Sequence, residues 1–392
     1  MKNLFKSILF VSLTLLASSC SKEILEQSPS DRPTEDVLFS SIGGAEIHLT
    51  GIYSLLNYPT GEGTRGILIP EVMGEDVVVT SANNYGRYVG AYNYNFRPES
   101  DPGYNFWRYS YRVISNTNLF LQKIEDVEGE AAKKEDLKAQ AYALRAFSYF
   151  NLVRMFGETA YTDDKNGRGV PINTTVNDLD GYNIPRSTVE EDYNQILSDL
   201  SEAEKGIKES DYKGFIDSHA VAAIQARVYL TMGDWANASK YAKKAYEGFT
   251  LIDENTYLSG FNNVSSEDIW SQKFIDSDVN TFMSIPSFTY TSKNIPIGDN
   301  NGDGIIDVKD VNTSTKGEDY VSGYNSLRVT KYLINQFKDT DFRKKMFPVY
   351  VNAKTGETIE YKNLRMEIID SDEKRIKKLK LNILKGEKDA KN

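Results

Sequence analysis

The sequence predicts a mostly α fold, in which pairs of packed helices alternate with loop-rich segments and a few short strands. Apolar residues recur at helical spacing over several long segments, and capping residues or glycine stand at the ends of these segments. Other segments are rich in Gly, Asn and Tyr and show no such period. Only short runs, such as Asp76–Thr80, have the composition of a strand.

Each predicted element rests on its own local pattern. In 106–124 the residues Trp107, Tyr111 and Ile114 share one helical face, and Gly157 ends the helix at 134–156. Two overlapping capping boxes, Ser187 with Glu190 and Thr188 with Glu191, begin a helix that runs to about 207. The other predicted elements are a helical segment following Thr34, helices at 218–233 and 235–247, a strand at 268–274 and a short helix near 327–338. The charged tail at 376–392 is predicted to be a frayed helix or disordered.

The helices at 218–233 and 235–247 have the pattern of a tetratricopeptide repeat. Small residues such as Ala222 and Ala238 allow close packing, and Gly233-Asp234-Trp235 supplies the tight turn. We expect Trp107, Trp235 and Trp270 in the core, and Arg145 beside a buried acid. The sequence therefore predicts a scaffold of helical repeats interrupted by long loops.

The first residues resemble a lipoprotein signal. Lys2 and Lys6 precede the apolar run Ile8–Leu16, and small residues lead to Cys20, the single cysteine of the chain. We expect residues 1–19 to be a signal peptide, Cys20 to be lipidated and 20–33 to be a tether that anchors the chain to a membrane. A plain secretory signal with an incidental cysteine is the alternative.

Composition excludes several classes of function. A net charge of -10 argues against nucleic-acid binding, which needs a basic face. The chain has only 2 histidines, which nearly removes His-based triads and zinc sites from consideration. The 25 tyrosines favour a surface on which rings stack, so we expect a binding protein and not an enzyme.

Several stretches, in this order, resemble the SusD/RagB family of surface lipoproteins of Bacteroidota. The most specific are AQAYALRAFSYFNLVRMFGETAY at 139–161 and IPRSTVEEDYNQILSDL at 184–200, and the resemblance covers about residues 1–275. It implies a tetratricopeptide-like fold with a loop-rich ligand-binding half, arranged as one domain at 34–375 with insertions at 58–103 and 250–330. It also implies a SusC-like TonB-dependent transporter as partner, with glycans or sometimes peptides as ligands.

The carboxyl-terminal part departs from the family pattern. The family's usual late helix has no counterpart after Phe347-Pro348-Val349. A short member of the family, a truncated product and a frameshifted tail are the open alternatives.

A tyrosine-rich loop is the first candidate for ligand binding. Its aromatic residues are separated by Gly, Asn and Arg instead of aliphatic residues. Sugar rings stack on aromatic rings, and their hydroxyls need amide and guanidinium partners. The predicted contacts in this loop are Asn84, Tyr85, Arg87, Tyr88, Tyr92 and Tyr94. The resemblance implies a second ligand region at about 276–330, where the candidates include Phe288, Tyr290 and Tyr320.

The stretch GDNNGDGIIDVKDV at 298–311 has the spacing of a calcium loop. Oxygen ligands recur at alternate positions, and Gly304 permits the sharp turn. The predicted ligands are Asp299, Asn301, Asp303, Ile305 (through its carbonyl), Asp307 and Asp310. We expect calcium to order the 276–330 loops; a simple Asn/Asp/Gly turn is the alternative.

The sequence as a whole predicts cell-surface binding of a glycan and its delivery to the outer-membrane transporter. A peptide-binding role like that of RagB is one alternative. A repeat scaffold that contacts only proteins is the other.

Overall fold

The structure is a computed structural model, and it describes the chain in several stretches. These are 33–74, 76–80, 84–95, 97, 103–176, 183–261, 263–272, 283–289, 326–346, 364–372 and 375–383. The described part is predominantly helical, which confirms the predicted fold class.

Twelve α-helices and four strands lie in these stretches. The helices are α1 (Glu35–Leu38), α2 (Ile42–Leu56), α3 (Arg65–Met73), α4 (Val89–Tyr92), α5 (Gly103–Lys123), α6 (Ala131–Phe156), α7 (Val189–Gly206), α8 (Ser218–Met232), α9 (Trp235–Tyr246), α10 (Glu254–Leu258), α11 (Ile285–Thr289) and α12 (Lys331–Gln336). The strands are β1 (Val77–Val79), β2 (Leu327–Val329), β3 (Leu364–Asp372) and β4 (Arg375–Ile383).

The chain divides into two compact units. The first contains the described residues of Met1–Asn57, Trp107–Phe249 and Asp268–Lys273. The second contains those of Tyr58–Phe106, Thr250–Glu267 and Phe274–Asn392. The single domain that we expected at 34–375 stays a prediction.

Local capping explains where the long helices of the first unit begin and end. Thr188 and Glu191 form the predicted capping box at the start of α7, whereas the Ser187–Glu190 box does not form. Instead, the Ser187 hydroxyl donates to Val170 O at 2.5 Å and to Asp192 Oδ1 at 2.6 Å. Helix α8 ends at Gly233, whose φ of 76° is the left-handed conformation that glycine adopts most readily.

The core of the first unit lies among these helices. Helix α6 packs against α7, and α8 packs against α9, as expected for repeats of helix pairs. The largest fully buried side chains in this core include Tyr149, Phe120, Phe150, Ile52, Leu144 and Leu152. Burial of side chains of this size contributes ~1.5–3 kcal/mol each.

A polar network crosses this core. Arg145 donates through Nε to Asp199 Oδ2 at 2.8 Å and through one terminal nitrogen to Asn118 Oδ1 at 2.8 Å. The amide of Asn118 donates in turn to Asn173 O at 3.0 Å. Burial opposes the charge of Arg145, but the hydrogen bonds to Asp199 and its charge raise the Arg145 pKa above its ordinary value. The expected pairing of Arg145 with a buried acid is confirmed.

The tryptophans divide between the interior and the surface. Trp107 packs against Phe156 at 5.2 Å between ring centroids, and Trp270 packs against Phe147 at 5.3 Å. Trp235 is 68% exposed, so its predicted place in the core is wrong. It is the first residue of α9, directly after the turn at Gly233, and this position leaves its ring in water.

In the second unit β1 pairs antiparallel with β2, with Val77 opposite Val329 and Val79 opposite Leu327. Thr80 N extends the pairing by donating to Ser326 O at 2.8 Å. This confirms the predicted strand near 76–80. The expected helix near 327–338 is wrong in its first part, which is β2, and its remainder is α12.

Two further predictions of secondary structure are wrong. The segment 268–272 is not a strand; it runs as irregular backbone in which Ser271 N donates to Lys213 O at 2.9 Å. The tail at 376–392, predicted as a frayed helix or disordered, contains most of β4, which pairs antiparallel with β3 so that Leu364 lies opposite Ile383. Among the described residues, no helix is both long and apolar enough to cross a membrane.

Candidate functional site

The tyrosine loop, defined here as Asn84–Asn95, belongs to the second unit and contains α4. A turn over residues 85–88 leads into this helix, and Arg87 N donates to Asn84 O at 3.1 Å. At the other end Tyr94 N donates to Ala91 O at 3.0 Å, and Asn95 N donates to Gly90 O at 2.8 Å. Backbone hydrogen bonds therefore form a turn at each end of the loop.

Three tyrosines in this loop have left-handed backbone conformations. The φ angles are 55° at Tyr85, 57° at Tyr88 and 53° at Tyr94, and no other non-glycine residue in the described stretches has a positive φ. This conformation costs about 1–2 kcal/mol for a residue with a Cβ. Backbone strain of this kind is concentrated at binding and active sites.

Tyr88 lies on the inner side of the loop. It is buried, and its ring meets Phe288 edge to face at 5.2 Å. Phe288 O accepts from Ser326 N at 2.9 Å, which ties α11 to the residue before β2. Tyr88 and Phe288, both predicted as ligand contacts, are buried against each other instead.

Asn84 is also buried, so in this conformation it does not reach the surface as predicted. Its side-chain amide has no hydrogen-bond partner in the described stretches. Leaving a buried amide unsatisfied costs about 1–3 kcal/mol, and groups of this kind call for a specific explanation.

The outer side of the loop carries the remaining predicted residues. Tyr85 is 77% exposed, and the guanidinium of Arg87 lies 5.3 Å from the centre of its ring. Tyr94 is 68% exposed, and its hydroxyl donates to Met73 O at the end of α3. Tyr92 is half-buried. The loop therefore presents two aromatic rings to solvent, with the half-buried guanidinium of Arg87 beside Tyr85, a combination suited to stacking and to hydrogen bonds with hydroxyls.

The other predicted site residues lie outside the described residues. These are Cys20, Tyr290, Tyr320 and the calcium ligands Asp299, Asn301, Asp303, Ile305, Asp307 and Asp310. Within the stretches that are described, no group of three or more His, Cys, Asp or Glu is placed to hold a metal ion.

Sequence reasoning overlooked a second concave region of the same unit. A cavity of about 500 Å³ is lined by residues of 251–261 and 263–266. A sequence pattern that could have indicated this region is the stretch SGFNNVSS at 259–266, where one aromatic residue lies mainly among Gly, Asn and Ser. The same pattern had singled out the tyrosine loop.

Comparison with known proteins shows similarity to one protein family. A SusD-like family profile, described as starch-binding associating with outer membrane, matches residues 54–230. SusD-like protein P2 of Formosa agariphila is 25% identical over 237 residues, which are 60% of this chain and 45% of that protein. A SusD-like protein of Bacteroides ovatus is 24% identical over 288 residues. The chain spans about half the length of the curated relatives that it matches.

Solved structures share the fold. A SusD-like carbohydrate binding protein from Bacteroides vulgatus superposes with a TM-score of 0.65 at 28% identity, over 79% of this chain and 61% of that one. A laminarin-binding SusD-like protein superposes with a TM-score of 0.58 at 20% identity, over 76% of this chain and 64% of the other. At 20% identity the second likeness concerns the fold alone.

Proposed function

Because the chain belongs to the SusD-like family, we propose that it binds a glycan at the cell surface through the exposed side of the tyrosine loop. The observation that carries the proposal is the pair Tyr85 and Tyr94, whose rings are held in water on left-handed backbone. Keeping two large rings in water on a strained backbone lowers stability, so a use in binding accounts for both features.

The chemistry of the loop fits a sugar. The axial C–H faces of a sugar ring stack on Tyr85 and Tyr94, and the guanidinium of Arg87 donates to ring hydroxyls. The guanidinium also lies against the Tyr85 ring, an arrangement that fixes the orientation of both groups. The buried contact of Tyr88 with Phe288 holds the loop in the conformation that presents them.

We further propose that binding serves uptake. The glycan would pass to a SusC-like TonB-dependent transporter, with the chain anchored to the outer membrane through a lipid on Cys20. The family description, which names association with the outer membrane, supports this part of the proposal. The carbohydrate-binding neighbour at 28% identity supports the choice of a glycan ligand.

We propose binding without catalysis, since the polar residues that the loop exposes are tyrosines and asparagines, with Arg87 half-buried. Groups of this kind stack and donate hydrogen bonds, whereas glycoside hydrolysis uses a pair of carboxyl groups. We also propose that the 299–310 loop binds calcium. The bound ion would order the ligand-binding loops.

Native gel electrophoresis in the presence of polysaccharide tests the proposal. Gels would contain laminarin, xylan, mannan, dextran or inulin, and the expected result is slower migration in at least one of them. Tyr246→Ala, which removes an exposed tyrosine from α9 in the first unit, is the control and should migrate like the wild type. Unchanged migration in every gel, together with binding of tryptic peptides by calorimetry, would assign the loop to peptides.

A further inference from the structure

The cavity in the second unit is built from one short segment, residues 250–267, that closes on itself. The hydroxyl of Ser266 donates to Thr250 O at 3.0 Å, and Ile252 N donates to a carboxylate oxygen of Glu267 at 3.2 Å. Between these ends runs α10, which Asp253 caps by accepting from Thr256 N at 2.8 Å. The ends of the segment are thus fixed to each other, and described residues of 251–261 and 263–266 line the cavity of about 500 Å³.

A second set of contacts fixes this segment to the rest of its unit. The Tyr257 ring meets Phe342 at 5.3 Å, and Lys345 pairs with Glu254 at 2.6 Å. Both partners belong to the 3₁₀-helix Phe342–Met346. A ring contact and an ion pair to one element hold α10 in place, so the cavity is a preformed feature of this unit.

The cavity keeps large apolar side chains in water. Phe261 is 64% exposed, and Leu251 and Val264 are also exposed. The Phe261 ring meets Tyr257 edge to face at 5.0 Å, which orients it while its surface stays accessible. A single oriented ring on the wall of a concave site is suited to stacking against a flat, partly apolar ligand.

Polar groups alternate with these apolar ones. Ser259, Ser265 and Asn263 line the cavity, and the side chain of Asn263 is exposed. An amide both donates and accepts, and hydroxyls do the same, so this lining matches a ligand that carries many hydroxyls. A pocket for an apolar peptide side chain would be lined mainly by hydrophobic groups.

The charge of the lining narrows the class of ligand. Asp253 lines the cavity, and the hydrogen bond from the backbone of Thr256 lowers its pKa below the usual value. It therefore stays ionised at neutral pH. A carboxylate beside the ligand disfavours uronate or sulfate groups by like-charge repulsion, and it accepts hydrogen bonds from neutral hydroxyls.

We propose that this cavity is a second glycan-binding site, specific for uncharged sugars, with Phe261 as the stacking ring and Asn263 as the principal hydrogen-bonding group. The ligand class rests on the proposed function, but the site shares no residue with the tyrosine loop. Two sites on one chain would hold separate parts of one long polysaccharide and raise its overall affinity through effective concentration.

Methyl-detected NMR of Leu- and Val-labelled full chain tests the proposal. The signals of Leu251 and Val264, assigned by their loss in Leu251→Ala and Val264→Ala, are followed as cellohexaose, maltoheptaose, mannohexaose or xylohexaose is added. We expect both signals to shift with at least one of these sugars, and neither to shift with trigalacturonate. Phe261→Ala should weaken this binding by about tenfold, and Phe261→Tyr, which keeps the ring, should preserve it.

Tyr85→Gly separates this proposal from the function proposed for the tyrosine loop. In that variant the two pocket signals should still shift, even when binding at the loop is lost. The second site is excluded if neither signal shifts with any sugar, if Phe261→Ala leaves the shifts unchanged, or if tryptic peptides shift the signals and the sugars do not. Each of these results leaves the test of the tyrosine loop unaffected.

Discussion

Arg145 of α6 and Asp199 of α7 form a buried ion pair with two parallel hydrogen bonds, 2.8 Å from Nε to Oδ2 and 2.6 Å from a terminal nitrogen to Oδ1. Their side chains are 6% and 2% exposed. Asn118 and Gln195 add further hydrogen bonds, so the charges are compensated on both sides. The pair joins the two helices across the core.

Removing one partner of this pair should be costly. Arg145→Met leaves Asp199 buried without its counter-charge, and we expect the free energy of unfolding to fall by about 3–5 kcal/mol. The double variant Arg145→Met with Asp199→Leu should recover much of that loss, because no charge remains buried. Urea unfolding followed by circular dichroism measures both. A double variant no more stable than Arg145→Met would contradict this account.

Gly169 makes room for a buried carboxylate. A Cβ at this position would stand 1.8 Å from Asp192 Oδ2, the oxygen that accepts from Val170 N at 2.8 Å. Gly169→Ala should therefore lower the free energy of unfolding by about 1–3 kcal/mol. Gly51→Ala in α2 is the matched control, since nothing lies within 4 Å of its Cβ. It should raise stability by about 0.5–1 kcal/mol. Equal effects of the two changes in urea unfolding would refute the steric argument.

The free energy of unfolding should depend on pH through the ionisation of Asp192. Burial raises its pKa to about 6, against the hydrogen bonds from Ser187 and Val170. The folded chain thus holds this proton more tightly than the unfolded chain, whose Asp pKa is about 3.9. The stability that this group contributes is present below about pH 4 and is lost as pH rises through about 6.

The comparison of wild type with Asp192→Asn isolates this effect from all other carboxyl groups. The asparagine cannot ionise, so the wild type should lose stability relative to the variant between about pH 4 and pH 6, with a constant difference above that range. Urea unfolding at each pH provides the measurement. A difference that does not change with pH would mean that Asp192 titrates alike in the folded and unfolded chains.

The predicted calcium loop is open to a direct test. If it binds calcium, EDTA lowers the melting temperature of the wild type, and added calcium restores it. Asp299→Ala should abolish this response, because it removes the first ligand. Asn300→Ala changes a position that supplies no ligand in the pattern and should keep the response. Scanning calorimetry that shows no effect of EDTA would identify the loop as a turn.

Local signals made the long helices of the first unit predictable from sequence, whereas α3 and α4 lie in 58–103, where loops were expected. Thr188 with Glu191 marks the start of α7, and Gly233 marks the end of α8, because each capping residue acts on the backbone within one turn. The burial of Arg145 beside an acid also followed, since a long helix with a cationic residue on its apolar face requires a partner.

Non-local relationships were not predictable in the same way. The partner of β1 is β2, which lies far along the chain and carried no strand pattern strong enough to displace the expected helix. Tyr85 and Tyr88 stand three positions apart in one loop, yet one is exposed and the other is buried. Both residues have the same left-handed backbone, so the difference comes from the packing of Tyr88 on Phe288, far along the chain, which no local propensity indicates.

The substitution Tyr85→Gly tests the central claim most directly. Glycine adopts the left-handed conformation without strain, so the free energy of unfolding should stay constant or rise by up to about 1 kcal/mol. The same change removes the exposed ring, and affinity for the glycan identified on native gels should fall about tenfold. Isothermal titration of wild type, Tyr85→Gly, Tyr85→Phe and the control Tyr246→Ala makes the measurement. We expect loss only in Tyr85→Gly; full affinity in that variant would contradict a binding role for the tyrosine loop.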